Sequence, residues 1–241
     1  MRAGAEALRG EAPVVCVIPA LNAAASVGSV VDAVRTVLPG VVIVGVDDGS
    51  TDRTRDVLRR ACDRVITFDA NRGKGAALRA AFALIAAEFA SSPVLTIDAD
   101  GQHDASFAPR LLDALAIAEI VLGTRAIGAE HVPVHRRFAN RLSTAATRAV
   151  TRCEIHDSQS GFRALRAGLV SRIAARGDRY EFETDFLVRA ARLGCTIAEV
   201  EVPTIYGPPS HFRALRDAWL VTRVLWSHRD AVFHPVKDHV A

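Results

Sequence analysis

Cysteine is sparse in this chain. Its four residues, Cys16, Cys62, Cys153 and Cys195, lie far apart, and no C-x-x-C pair occurs. That spacing excludes a zinc ribbon and a disulfide-built scaffold. Three of the four sit in or beside apolar runs, where cysteine behaves as a small buried hydrophobe, in keeping with a reducing cytosol. Long apolar runs are also missing, and none reaches the roughly 18 residues that cross a bilayer. The N-terminus has no basic head followed by an apolar core, so a secretory signal is not expected. The chain is therefore expected in the cytoplasm, free or peripheral on the inner face of a membrane. Aromatic residues make up only 6% of the chain and do not interleave with basic ones as single-stranded nucleic acid requires, so no nucleic acid partner is expected. There is no G-x-x-x-x-G-K-[ST] phosphate loop. The Ser-His-Asp order and glycine pattern of a hydrolase triad are absent too.

What is present is ample core. Of 241 residues, 50% are hydrophobic, which excludes a disordered chain and suits one domain with a small C-terminal elaboration. The net charge of +3 is uneven: residues 1–130 carry 13 basic and 16 acidic side chains, and residues 131–241 carry 17 and 11. A basic C-terminal part suits an anionic membrane or a phosphorylated acceptor.

Apolar, β-branched runs alternate with helical patterns. Val14 to Ile18 reads as a strand, then a helix from Val27 to Val37 with Ser26 as its N-cap. Val41 to Val46 is a second strand, and Arg53 to Ala61 a helix capped by Thr51 or Asp52. Val65 to Phe68 is a third strand. An alanine-rich helix follows the loop 71–75 and runs to Phe89, and Val94 to Ile97 is a fourth strand. A helix from Phe107 to Ala116 and a strand from Ile120 to Gly123 come next. After a loop over 126–137, helices are expected over 138–153 and from Phe186 to Leu193, with an edge strand from Thr196 to Val202 between Gly194 and Pro203. Strands alternating with helices of ten or more residues imply right-handed crossovers and a mainly parallel sheet flanked by helices. Ligands of such sheets sit beyond the carboxyl ends of the strands. Three polar clusters fall there: Ala20-Leu21-Asn22, Asp47-Asp48 and Asp98-Ala99-Asp100.

The last of these anchors the functional reading. Asp98 and Asp100 stand at i and i+2 beyond a buried strand, on one side of the chain, and Gly101 allows a sharp turn. Two such carboxylates repel unless a cation or several donors satisfy them. An oxygen-ligated Mg²⁺ or Mn²⁺ sharing its coordination with substrate phosphates suits them; the alternative is a turn with two exposed acids. Asp47 or Asp48 can bind a base or ribose, or cap a turn. Asn71-Arg72-Gly73-Lys74-Gly75 precedes a helix N-terminus, which with the Lys74 charge makes an anion site or else a glycine-rich turn. Asp157 to Arg163 joins an acid, Gln159 and two serines to Arg163, which either grips a phosphate or belongs to a structural loop pinned by Asp157 and Gln159. Glu181, Glu183 and Asp185 share a face if extended, or form the first turn of a helix.

Jointly these residues resemble family-2 glycosyltransferases of the GT-A fold, in the branch similar to dolichol- and polyprenyl-phosphate mannose synthases. The matching stretches are VIPALN at 17–22, VDDGSTD at 46–52, NRGKGAALRAAF at 71–82, TIDADGQHD at 96–104, DSQSGFRA at 157–164 and EVPTIYGPPSHFR at 201–213. One departure stands out: the family usually has glutamate after the asparagine of its first motif, and here Ala23 and Ala24 follow Asn22.

The resemblance implies a leader over 1–12, a GT-A domain over 13–205 and an amphipathic helix and tail over 206–241. The domain would divide into a nucleotide-sugar half, 13–125, and an acceptor half, 126–205. Pro19, Ala20, Asn22, Asp47, Asp48, Lys74, Asp98, Ala99 and Asp100 would meet the nucleotide sugar. Asp98, Asp100 and Gln102 would hold the metal. Gln159, Arg163, Ser210 and Arg213 would meet the acceptor or its phosphate, and Asp98, Asp100, Arg163 and Asp157 would carry catalysis. The implied reaction moves a sugar, with inversion, from GDP-mannose or a UDP-hexose to a polyprenyl phosphate. An acceptor hydroxyl would need a base, for which Asp157 and Glu181 are the candidates. The competing readings are transfer to a hydroxyl acceptor, a sugar nucleotidyltransferase, and a non-catalytic nucleotide-sugar binding protein. Arg141, Arg148 and Arg152, with Trp219 and Trp226, provide helices that rest on an anionic membrane or form core and a homodimer interface.

Overall fold

A computed structural model describes residues 12–125, 144, 145, 147–179 and 181–203. Ser210, Arg213, the Trp219/Trp226 helix and the whole segment 126–143 named above lie outside the described residues.

Seven strands form one sheet: β1 (Val15–Ala20), β2 (Val42–Asp47), β3 (Arg64–Thr67), β4 (Val94–Thr96), β5 (Ile120–Arg125), β6 (Arg163–Leu165) and β7 (Ile197–Val202). Their spatial order is β3-β2-β1-β4-β6-β5-β7. All neighbours pair in parallel except β6, which runs antiparallel to both β4 and β5. Among the described residues the helices are α1 (Val27–Val37), α2 (Thr54–Ala61), α3 (Lys74–Glu88), α4 (Ala108–Asp113), α5 (Leu169–Arg172) and α6 (Glu181–Arg192), and residues 147–151, within the helix expected over 138–153, are helical too.

The strands are nearly continuous runs of Val, Ile and Leu because both faces of the sheet are covered. Val15, Val17, Val44, Val46 and Leu122 face α3, α5 and α6. Cys16, Ile18, Ile43, Leu95 and Val121 face α1, α2 and α4. Side chains alternate along each strand, so a single sequence run feeds both cores. Gly45 opens the room that α2 needs, since a Cβ there would lie 2.8 Å from Leu58 Cδ2 and 2.9 Å from Cys62 Sγ.

Two local expectations change. Ser26 does not cap α1 with its side chain. Its hydroxyl donates instead to the Ala99 carbonyl at 2.7 Å, tying α1 to the Asp98–Asp100 turn. The helix expected over Phe107 to Ala116 is broken into a 3₁₀ turn, the short α4 with Pro109 in its first turn, and a second 3₁₀ turn.

The register puts functional segments side by side. Ala20 lies opposite Asp47, so the ends of β1 and β2 meet. Because β6 is reversed, its beginning lies at the end of β4, with Thr96 opposite Arg163. The segment 157–162 is thereby delivered to the carboxyl end of β4, beside Asp98.

Candidate active site

Asp98 lies just past β4. Its Oδ1 is 2.7 Å from Lys74 Nζ, and its Oδ2 is 3.7 Å from His103 Nε2. Burial alone would raise the Asp98 carboxyl; Lys74, and then His103, outweigh it and hold the group well below the usual carboxylate range. The carboxylate rests on the bare face of Gly161, where a Cβ would fall 2.2 Å from Oδ2 and 2.4 Å from Oδ1. Gly161 is fixed by its carbonyl, which accepts from Thr96 Oγ1 at 2.8 Å. Asp100 follows at the turn and accepts from the Gln102 N–H at 3.0 Å. Burial, then the charge of Asp98, push the Asp100 carboxyl up. The local negative charge thus exceeds what Lys74 and His103 balance. That is the electrostatic setting of an oxygen-ligated divalent cation, for which Asp98, Asp100 and the Gln102 amide are the donors at hand. Among the described residues no three His, Cys, Asp or Glu side chains cluster as a metal site, so remaining ligands would come from solvent and substrate.

Asp47 and Asp48 point inward. Asp47 accepts from the Ser50 N–H at 3.0 Å and from Arg55 Nε at 3.0 Å, and is fully buried. Asp48 accepts from the Arg72 N–H at 2.7 Å and the Gly73 N–H at 2.9 Å. Burial raises its carboxyl more than these hydrogen bonds lower it. The Ala76 N–H donates to the Asp178 carbonyl at 3.1 Å. These N–H groups of the 71–75 loop and the start of α3 therefore serve the fold, and of that loop's expected anion-binding groups it is the Lys74 ammonium that lies beside the carboxylates. The contact is tight: a Cβ on Gly49 would fall 2.3 Å from the Ala70 carbonyl carbon. Asp48→Ala is expected to destabilise the protein by about 1–3 kcal/mol, since two buried N–H groups lose their acceptor. Amide exchange at Arg72 and Gly73 should accelerate.

Asn22 has left-handed backbone, φ 50°. Its N–H donates to Ser50 Oγ at 2.9 Å, and its Oδ1 accepts from the Thr51 N–H at 2.8 Å. The Ala23 and Ala24 N–H groups donate to Thr54 Oγ1 and Asp52 Oδ2. This lattice joins the end of β1 to the turn after β2.

Across the cleft, Arg163 is buried and donates from Nε to the Ser160 carbonyl at 2.7 Å and from Nη2 to the Ser158 carbonyl at 3.0 Å. Burial lowers its basicity, while Glu183, Asp157 and Asp98 pull the other way. Asp157 accepts from the Gln159 N–H at 3.2 Å, and Gln159 Nε2 donates to Thr184 Oγ1 at 3.0 Å. Pro19, Lys74, Asp98, Gly161, Arg163 and Glu183 line one shared cavity.

Comparison with known proteins supplies the family. The model for glycosyl transferase family 2 matches residues 15–174. The chain belongs to that family. It is 31% identical over 200 residues to an undecaprenyl-phosphate mannosyltransferase of Micrococcus luteus, covering 78% of this chain and 82% of that one. It is 32% identical over 199 residues to a polyprenol monophosphomannose synthase of Mycolicibacterium smegmatis, covering 77% and 75%. These relatives put it in the branch similar to polyprenyl-phosphate mannose synthases. Glucosyl-3-phosphoglycerate synthase from Mycobacterium tuberculosis, solved with Mn²⁺ and UDP, superposes with a TM-score of 0.73 at 24% identity, over 97% of this chain and 84% of that one, and supports the GT-A fold.

In this family-2 glycosyltransferase the expected residues of β1, β2, β4, the 71–75 loop and the 157–163 segment converge on the carboxyl ends of the strands. Two participants, His103 and Gly161, carried no role in the sequence reading, and a third, Glu183, was read only as an acid of an extended face or of a first helical turn. His103 follows the D-x-D motif by three residues and lies beside Asp98, with its ring centroid 5.5 Å from that of Phe162. Gly161 seats the Asp98 carboxylate. Glu183, 3.0 Å from Lys74 through Oε1, is buried in the first turn of α6. The clue for His103 was its place five residues after Asp98; Gly161 and Glu183 acquire their roles only through tertiary contact.

Proposed function

We propose that this glycosyltransferase uses a divalent cation to move a hexose, with inversion, from a nucleotide-sugar donor to a polyprenyl phosphate. The observation that carries this reading is the pair of carboxylates at the end of β4: Asp98, seated on Gly161 and faced by Lys74 and His103, and Asp100 beside it under its repulsion. Asp98, Asp100 and Gln102 would hold Mg²⁺ or Mn²⁺. When bound, the ion neutralises the charge that develops on the leaving nucleoside diphosphate. Lys74 reaches the first of these carboxylates, Asp98, at 2.7 Å. The acceptor attacks the anomeric carbon from the face opposite the departing diphosphate, which inverts that centre.

The choice of a phosphate acceptor has chemical support. A lipid phosphate is ionised near neutral pH and needs no strong base, whereas a hydroxyl does. The two carboxylates considered for that task are buried and each accepts a backbone N–H, although Glu181 Oε2 has no hydrogen-bond partner among the described residues. Asp157 accepts from the Gln159 N–H, and Glu181 Oε1 accepts from the Asp178 N–H at 3.1 Å. The names of the Micrococcus and Mycolicibacterium relatives carry the same acceptor chemistry. No helix among the described residues is long and apolar enough to cross a membrane, so the lipid's headgroup would be met at the bilayer surface.

The test is thermal unfolding with GDP-mannose and UDP-glucose, each with and without Mn²⁺, followed by transfer to a short-chain polyprenyl phosphate in detergent. One donor is expected to stabilise the protein in a metal-dependent way and to yield a lipid-linked sugar of inverted configuration by NMR. Stabilisation by a donor with no transfer to the lipid phosphate, but transfer to a hydroxyl acceptor, would replace the acceptor assignment. No response to any nucleotide sugar with Mn²⁺ present would overturn the reaction.

A further inference from the structure

Lys74 is shared between two acids. Its Nζ lies 2.7 Å from Asp98 Oδ1 and 3.0 Å from Glu183 Oε1, and it is 18% exposed. Glu183 is 1% exposed, and neither of its oxygens accepts a hydrogen bond among the described residues. A carboxylate this deep is tolerated only beside a cation. The charge of Arg163 acts on it as well, but the cation in contact with it is Lys74, which also faces the first acid of the D-x-D motif.

The backbones at both ends of this contact are locked. A Cβ on Gly73 would fall 2.2 Å from the Asp178 carbonyl oxygen, and one on Gly75 would fall 2.7 Å from Phe182 Cβ. The start of α3, which carries Lys74, is thus pressed against the start of α6, which carries Glu183. What retains freedom is the four-carbon lysine stem, whose ammonium can move between two acceptors without backbone change. A dication bound at Asp98 and Asp100 would repel that ammonium, and Glu183 has acceptor capacity in reserve for it.

We propose that Lys74 is an internal counter-ion that neutralises Asp98 while no divalent cation is bound. Glu183 is the acceptor onto which it withdraws when one binds, so that metal entry is an exchange of cations at Asp98. Lys74 and Glu183 are then positioning residues for the metal. The inference rests on the metal-dependent reading above.

The experiment titrates Mn²⁺ alone, without nucleotide, into wild type, Lys74→Met and Glu183→Gln. Free Mn²⁺ is followed by electron paramagnetic resonance, and thermal unfolding is measured in EDTA and in Mn²⁺. Lys74→Met removes the competing cation and is expected to bind Mn²⁺ about tenfold tighter. It should also melt lower in EDTA and recover more on adding Mn²⁺ than wild type does. Glu183→Gln takes away the charged acceptor onto which the ammonium withdraws and is expected to bind Mn²⁺ several-fold weaker. Unchanged or weaker binding by Lys74→Met would mean that the lysine only braces the loop, and overturns the exchange. If Lys74→Met does not fold, Glu183→Gln decides, and unchanged or tighter binding by it overturns the exchange. Wild type that binds Mn²⁺ while the variants fail these expectations sinks the exchange alone; wild type that binds no Mn²⁺ overturns the exchange, and the metal reading falls with it when nucleotide sugar and Mn²⁺ together give no response either.

Discussion

Asp100→Ala is expected to reduce sugar transfer by about 10³-fold while leaving the fold intact. The carboxylate is held at the turn by the Gln102 N–H, and it sits under the repulsion of Asp98. On the proposed reaction, removing it would take away one charged ligand of the cation, and it would also relieve like-charge crowding. Stability in EDTA should therefore be unchanged or raised, whereas the stabilisation gained from Mn²⁺ and donor should vanish. This split separates a site residue from a core residue. Steady-state transfer measured beside thermal unfolding checks it, and activity within about tenfold of wild type would remove Asp100 from the reaction.

Gly161→Ala should be nearly as damaging, through geometry alone. The added methyl would lie 2.2 Å from Asp98 Oδ2, far inside contact distance. The backbone has little room to retreat. Thr96 Oγ1 holds the Gly161 carbonyl, and the Phe162 carbonyl accepts from the Gly123 N–H at 2.8 Å. The carboxylate must swing away and lose Lys74. Transfer is expected to fall by about 10²-fold or more, Mn²⁺ binding to weaken, and stability to drop by about 1–3 kcal/mol from overpacking. Gly28→Ala is the control. Its Cβ would meet Val57 Cγ1 at an ordinary 3.5 Å inside α1, so the change should be neutral or stabilising by up to about 1 kcal/mol. Equal activity of the two variants would dissociate Gly161 from the site.

The parallel half of the sheet was legible because each of its strands is a β-branched run that ends in a polar cluster. The positions of Ala20, Asp47 and Asp98 at strand ends follow from that pattern, and the GT-A resemblance rested on the same residues. Strand β6 was not legible. It is three residues long, begins with the charged Arg163 and follows a polar segment, so periodicity had nothing to measure. The inward turn of Asp47 and Asp48 was hidden for another reason. Their partners are Arg55 and the N–H groups of Ser50, Arg72 and Gly73, and only the fold decides whether a carboxylate meets those or a ligand. Of the two readings open for Glu181, Glu183 and Asp185, the structure takes the helical one: α6 starts at Glu181, ahead of the apolar pattern from Phe186, because acids in a first turn are favoured by the helix dipole. Lys74 was assigned to the nucleotide on motif grounds; its contact with Glu183 joins segments more than a hundred residues apart.

The reversed strand β6 also sets a timetable for synthesis. Strand β4 can pair with β1 as soon as it leaves the ribosome, but its other edge stays open until residues 163–165 emerge. The seat for Asp98 arrives with Gly161, and Glu183 follows later still. A nascent chain that ends after β5 therefore holds both aspartates of the motif without the platform that aims them. It also exposes an unpaired edge to its neighbours. The catalytic centre is among the last parts of the described protein to form, and truncation anywhere before β6 should produce a sticky, metal-blind fragment rather than a working half.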